Sequence, residues 1–389
     1  SSAPRALMRA EASDFELLRV LGQVSYATAS ESERTLTWSG GDDGAAPDAF
    51  SVSGASDRSS SDAVMKLYAG KVIGWDLDSR PGERRRSNAV PDVLLKEYVN
   101  AAAAKMADAE VEAYMALYSD PSDSTIAQRR DGIPIGEAFD PASLPVVPLV
   151  AFFASKPLGG SLDSAGSLWT VQAWGPGGLT RLAEYPTRRQ PAPEPAAAWW
   201  PPVQRVRDVG LGPRHRFVRA AARGIFAAVA AIHARGVAHG AVDASAFQVN
   251  TTADAEADDL EVRLMNFGFA SPLDEDARRR DVRAAAAAAA ETIFSALRLG
   301  GGGKIGGEAA GAGTDAASLA RLFERVFDLD PRRAREYFAE DPAFGAVVEF
   351  MDYRDRQGDG WATLADAFGG DAAAEEILAR MEAVETPYD

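Results

Sequence analysis

At 389 residues, 46% hydrophobic and 25% charged, the chain has the make-up of a soluble globular protein, long enough for one large two-lobed domain or two ordinary ones. A net charge of −16, from 41 basic and 57 acidic residues, argues against a nucleic-acid or anionic-membrane surface, since both need clustered Lys and Arg. With no cysteine, disulfides, thiolate nucleophiles and Cys-based zinc sites are excluded, and His215, His233 and His239 are too scattered for a His-rich metal site.

The first elements read as strands. Residues 15–29, FELLRVLGQVSYATA, predict a strand, a turn at Gly22 and a returning strand. The stretch 39–62 is Gly, Ser, Asp and Ala and reads as a surface insertion. Residues 63–75, AVMKLYAGKVIGW, are strand-like with a turn at Gly70, and 80–92 is a charged loop. A central strand is expected at 93–99, VLLKEYV. Residues 101–118 predict a strong helix, with Met106, Val111, Met115 and Tyr118 near helical spacing. Two more strands are expected at 144–154 and 167–174.

Helices dominate the remainder. A Pro-rich segment with paired tryptophans, 188–202, separates the strands from a helix at 214–236. Phe217, Ala221, Ile225, Val229 and Ile232 form its apolar stripe, and Gly236 is a C-cap signal. A second helix is expected at 281–299, followed by a Gly-rich loop at 300–313. The last eighty residues predict short helices with Phe323, Phe327, Phe338, Phe344, Phe350 and Trp361 in the core. No apolar run is a credible membrane span, because Arg219, Arg223, Arg283 and Glu291 interrupt the longest ones. The chain starts SSAPRALMRAEA, which reads either as a mature form that has lost a targeting peptide or as part of a longer chain.

The order of these landmarks resembles the eukaryotic-type protein kinase fold over roughly 15–365, with each motif imperfect. The fold class implied is α+β and bilobal: a small β-rich lobe over 1–174, with insertions at 39–62 and 80–92, and a larger helical lobe over 175–389 that carries the Pro/Trp insertion. In the family, G-x-G-x-x-G lets backbone N–H groups approach the nucleotide phosphates. The matching GQVSYA keeps Gly22 and has Val24 and Ala27 at the other two positions, where each Cβ crowds the phosphate space. A strand Lys then holds the phosphates and a helix Glu holds the Lys. Lys96 with Glu110 is the preferred pair over the neighbouring Glu112, and Lys66 of AVMK is the alternative Lys.

The family's H-R-D-x-x-x-x-N places a proton-accepting Asp and a magnesium-holding Asn in one loop. Here residues 239–250 read HGAVDASAFQVN. His239 stays, Gly240 replaces the Arg, Ala241 replaces the Asp and Ala246 replaces the Asn. A methyl group neither accepts a proton nor ligates a cation. The metal-binding D-F-G becomes NFG at Asn266, Phe267 and Gly268, and a neutral amide forfeits the attraction of full charges. Only FASPLDEDARRR separates Gly268 from Asp281, whose family counterpart ties the next helix back to the catalytic loop. That leaves no room for a peptide platform or a phosphorylated switch.

The resemblance therefore implies a pseudokinase, with the catalytic and metal positions vacated, a vestigial nucleotide site at Gly22, Lys96 and Glu110, no metal, and ATP with magnesium disfavoured as a cofactor. A positioned base is worth ~10²–10⁴ in rate, and lost metal charge costs several kcal/mol more. The alternative is an atypical ATP-binding phosphotransferase with displaced residues, for which Asp243 is the nearest substitute base. Between them stands a pseudokinase that keeps ATP as a structural ligand. HGAVDASAFQVN, NFGFA, the short link to Asp281 and the tail FGAVVEFMDYRDRQGDGWATL are most similar to kinase-like proteins of plant and algal chloroplasts. That likeness implies a chloroplast location after removal of a transit peptide. It also implies protein subunits of a larger, photosynthetic or plastid assembly as partners. Surfaces for such partners are sought at 39–62, 188–202 and 300–313.

Overall fold

The computed structural model describes residues 8–26, 36–40, 63–73, 93–119, 143–155, 167–174, 180–185, 203–295, 316–340, 345–356 and 361–383. The chain is of mixed α+β class and divides into two compact units. The first holds Ser1–Pro176 with Arg235–Val237 and Asn266–Pro272. The second holds Gly177–Ala234, Ala238–Met265 and Leu273–Asp389.

In the first unit, seven strands form one sheet: β1 (Met8–Arg9), β2 (Phe15–Tyr26), β3 (Leu36–Gly40), β4 (Ala63–Val72), β5 (Val93–Tyr98), β6 (Leu149–Ala154) and β7 (Leu168–Ala173). Their order is β1-β6-β7-β5-β4-β2-β3. The β1–β6 pair is parallel and the others are antiparallel. Connection length dictates the shape of this sheet. Five strand spacings separate β1 from β2 in that order, about 24 Å across a flat sheet. The six residue steps from Arg9 to Phe15 reach at most about 21 Å, and Ala12–Asp14 form a 3-10 turn that shortens them. The sheet therefore curls. Phe15 of β2 stacks on Phe153 of β6 at 5.4 Å, and Phe153 stacks on Trp169 at 5.6 Å. With Val93, Leu95, Ala151 and Val171 these rings fill the inner face.

Two expected turns are absent. Strand β2 runs straight through Gly22, which pairs with Gly40 on one side and Leu67 on the other. Gly22 follows a register shift, so its role is that of a bulge glycine. Strand β4 likewise runs through Gly70. A Cβ there would stand 2.3 Å from Leu95 Cδ1 and 2.9 Å from the Glu16 carbonyl, so close packing selects the glycine.

Two residues after β5 comes helix α1 (Ala101–Tyr118). Asn100 caps it by accepting from the Ala103 N–H at 2.9 Å. Its buried face is Ala103, Met106, Ala107, Glu110, Ala113, Tyr114, Leu117 and Tyr118. Val111 and Met115, expected in the stripe, lie at its half-buried margins.

The second unit holds α2 (Val203–His233), α3 (Glu275–Ser295), α4 (Ala316–Arg325), α5 (Pro331–Ala339), α6 (Gly345–Arg356), α7 (Trp361–Gly369) and α8 (Ala374–Ala383). Helix α2 starts eleven residues before the expected 214 and carries Pro213 inside it. Proline is commoner in a first turn than in a helix interior, where it removes one backbone hydrogen bond. Its expected stripe, Phe217, Ala221, Ile225, Val229 and Ile232, is fully buried, and Gly236 takes the left-handed φ of +72°. Helix α3 begins six residues before the expected 281. Phe323, Phe327, Phe338 and Phe350 are core residues as expected. Phe344, the side chain of Trp361, and the segments at 41–62, 80–92, 188–202 and 300–313 lie outside the described residues. Gly40 and Ser39 end β3 rather than opening an insertion. Among the described residues no helix is long and apolar enough to cross a membrane.

Candidate functional site

The described residues of the first unit include a buried charged cluster. Side chains alternate along a strand, so Lys96 and Tyr98 of β5 point to the same face. Across the ladder, Thr170 of β7 stands opposite Lys96 and Gln172 opposite Leu94. Helix α1 brings Glu110 to them from the middle of its apolar face. Lys96 is 1% exposed and Glu110 0%. The Lys96 Nζ donates to Glu110 Oε1 at 2.7 Å, and Gln172 Nε2 donates to the same oxygen at 3.1 Å. Glu110 Oε2 accepts from the Tyr98 hydroxyl and, at 2.9 Å, from Thr170 Oγ1. Four donors fill the carboxylate's four acceptor sites. Burial pushes the Glu110 carboxyl up, but the Lys96 charge and the hydrogen bonds from Lys96, Tyr98 and Thr170 outweigh it and hold the group below its ordinary value.

A second ammonium hydrogen of Lys96 goes to Asn266 Oδ1 at 3.1 Å. Asn266 sits at φ +70°, ψ 55°, a left-handed conformation that asparagine tolerates better than most residues. Phe267 is buried with its ring 5.0 Å from that of Tyr114. Gly268 packs so tightly on α1 that a Cβ would stand 2.8 Å from Met106 Cε. The NFG triplet is thus fastened at three successive positions, Asn266 to Lys96 of β5 and Phe267 and Gly268 to α1.

The second unit buries another carboxylate. Asp281 Oδ2 accepts from the His239 backbone N–H at 2.7 Å and from His233 Nε2 at 3.1 Å, while Oδ1 accepts from the Gly240 N–H at 2.9 Å. Burial pushes this carboxyl up, and the His233 and backbone donations more than reverse that, so it too lies below its ordinary value. His239 is fully buried. Its Nε2 faces the Met265 carbonyl at 2.9 Å and its Nδ1 faces the Ala241 N–H at 3.3 Å. A carbonyl acceptor on Nε2 places the proton there and leaves Nδ1 as the acceptor. The Met265 N–H reaches the Ala246 carbonyl at 2.8 Å, extending the pairing of Phe247–Val249 with Val262–Leu264.

Of the residues singled out in the sequence, Lys96, Glu110 and Asn266 come together. Lys66 lies half-buried on β4, and it is Lys96 that pairs with Glu110. Glu112 is exposed. Gly22 and Val24 are not in a phosphate-covering turn: Val24 is a buried ladder residue opposite Trp38 and Met65. Ala27 lies outside the described residues. Ala241 is half-buried and Ala246 buried. Asp243 Oδ1 accepts from the Ser245 N–H (2.8 Å), the Ser245 hydroxyl (2.6 Å) and the Ala246 N–H (2.9 Å), capping the 3-10 turn Ala244–Ala246. Among the described residues no group of three or more His, Asp or Glu is arranged to hold a metal ion.

Sequence reasoning missed Tyr98, Thr170, Gln172 and His233. The first three carry a signal: polar groups at every second position of apolar strands mark a polar lining on one face. It also missed a network in the second unit, where Asp254 accepts from the Tyr185 hydroxyl at 2.6 Å and Arg214 Nε at 3.2 Å. Comparison with protein-family models finds no match, and comparison with curated proteins finds none either.

Proposed function

We propose that the chain is a kinase-like protein without phosphotransfer activity, serving as a scaffold or accessory subunit of a larger protein assembly, by its resemblance one of the chloroplast. The observation that carries this reading is the fate of the charged groups. The buried pair that a kinase-like fold uses to organise its sheet and helix is assembled, at 2.7 Å between Lys96 and Glu110. The positions that would move a proton or hold a cation carry the methyl groups of Ala241 and Ala246 and the amide of Asn266. The Asn266 amide oxygen accepts from Lys96, so with the bond to Glu110 two of the three ammonium hydrogens are already held within the protein.

The reading of an active enzyme with Asp243 as a displaced base finds no support in the geometry. One Asp243 oxygen already takes three local donors as a turn cap. A thermal-shift titration with ATP, with and without magnesium or manganese, followed by a phosphate-transfer assay, tests the proposal. No metal-dependent shift and no transfer are expected. A magnesium-dependent shift with transfer sinks it, and a shift without transfer makes ATP a structural ligand.

A further inference from the structure

Four exposed aliphatic side chains gather on β2 and just beyond the end of β4. Leu17 is 50%, Leu18 36%, Val20 56% and Ile73 49% exposed. The cause is the pairing register. Leu17 stands opposite Gly70 but Arg19 opposite Ala69, so Leu18 is an extra residue. Val20 stands opposite Tyr68 but Gly22 opposite Leu67, so Leu21 is a second one. Each extra residue breaks the alternation that would turn every second side chain inward. Leu17, Leu18 and Val20 all reach solvent as a result.

The same stretch is a sheet edge. Strand β3 pairs with β2 only over Gly22–Tyr26, so among the described residues 15–21 has β4 on one side and no strand on the other. Glu16 and Arg19 flank the two leucines, are exposed, and have no ion-pair partner among the described residues. An edge with exposed aliphatic groups is a template for another chain.

Charge selects the occupant. Residues 15–20 read FELLRV, which is self-complementary in an antiparallel sense. Turning the segment about the midpoint of Leu17 and Leu18 sets Leu17 against Leu18 and Glu16 against Arg19, and two-fold symmetry makes each pairing twice. We propose that this edge of β2 is the contact surface of a two-fold homodimer, in which the Leu17–Leu18–Val20 patch packs on its own counterpart and Glu16 of each copy pairs with Arg19 of the other. The proposal rests on the strand register, the exposed side chains and their charges, and stands whether or not the kinase-like reading does.

Sedimentation equilibrium of the full chain tests it. The wild-type mass rises with concentration from the 41.2 kDa of one chain to twice that value. Glu16→Arg alone and Arg19→Glu alone set like charges opposite each other, and each weakens the dimer by roughly tenfold or more. Mixing the two single variants restores association, because each now presents what the other lacks. The double variant E16R/R19E dimerises like wild type, with the polarity reversed. A wild-type chain that stays monomeric at every concentration overturns the proposal, and so does failure of both the mixture and the double variant to recover association. The mixture keeps the test valid if a single variant is less stable, since misfolded chains do not regain a specific partner.

Discussion

The two buried carboxylates invite comparison. Glu110 takes four side-chain donors drawn from β5 and β7, while Asp281 takes two backbone N–H groups and one histidine. The first joins side chains of separate elements; the second fixes the path of a loop. The difference explains how chemistry and shape come apart in the stretch HGAVDASAFQVN. Its backbone is anchored by Asp281, by the Asp243 cap and by the bond between Met265 and Ala246. None of these uses the side chain of residue 241 or 246. Methyl groups there leave the loop standing, whereas a methyl at 110 would strip a network.

The largest effect therefore belongs to Glu110→Ala. It takes from buried Lys96 its carboxylate and removes the acceptor that Tyr98, Thr170 and Gln172 share, and is expected to cost about 3–5 kcal/mol. Denaturant unfolding followed by tryptophan fluorescence reads this loss. If replacing Lys96 and Glu110 together by Met and Leu recovers most of it, the penalty is the orphaned charge. A loss under about 1 kcal/mol for Glu110→Ala would mean that the network contributes little and that the contrast with the loop is false.

Next comes Asp281→Ala, at about 2–3 kcal/mol for the loss of hydrogen bonds to a charged acceptor. Both carboxyls lie below their ordinary values when folded. Below about pH 4 the unfolded chain thus binds more protons than the folded one, and stability falls as pH drops. Removing either carboxylate should flatten that acid limb while lowering stability near neutrality. An unchanged limb in both variants would assign the acid sensitivity to other groups.

Much of this was legible in the sequence, and the exceptions have physical reasons. The apolar stripe of α2 follows from helical spacing, whereas the pairing of Lys96 with Glu110 came from the resemblance to kinase motifs, applied to a helix that begins directly after a strand. The turns expected at Gly22 and Gly70 did not materialise, because glycine also serves bulges and close approaches, and only the neighbouring strands reveal which. Helix α2 begins eleven residues before the expected start and runs through Pro213, a residue that sequence patterns disfavour in a helix interior. The donors around Glu110 depend on which strands lie side by side, and β7 is far from β5 in sequence. His233 entered the sequence analysis only as one of three scattered histidines, and its bond to Asp281 spans 48 residues.

Asn266 separates two smaller contributions, the hydrogen bond to Lys96 and the left-handed backbone. Asn266→Gly removes only the first, since glycine adopts a φ of +70° freely. Asn266→Ala removes the bond and also strains the backbone, by roughly 1 kcal/mol more. Alanine should thus melt below glycine. Equal melting points would show that the backbone conformation carries no cost here, leaving the amide bond as the whole contribution of the residue.

The smallest expected effect tests the loop most directly. Asp243→Ala deletes a cap on a three-residue turn and should cost about 0.5–1 kcal/mol. Asp243→Asn keeps an acceptor oxygen and should recover most of that. A displaced catalytic base behaves differently, because the amide that preserves the cap cannot accept a proton. If phosphate transfer were detected in the wild type and vanished in Asp243→Asn with its stability intact, Asp243 would be a base and the loop an active one. If the two variants differ only in melting point, the carboxylate holds the turn, and the anchors at Asp281, Asp243 and Met265 account for the loop without any chemistry.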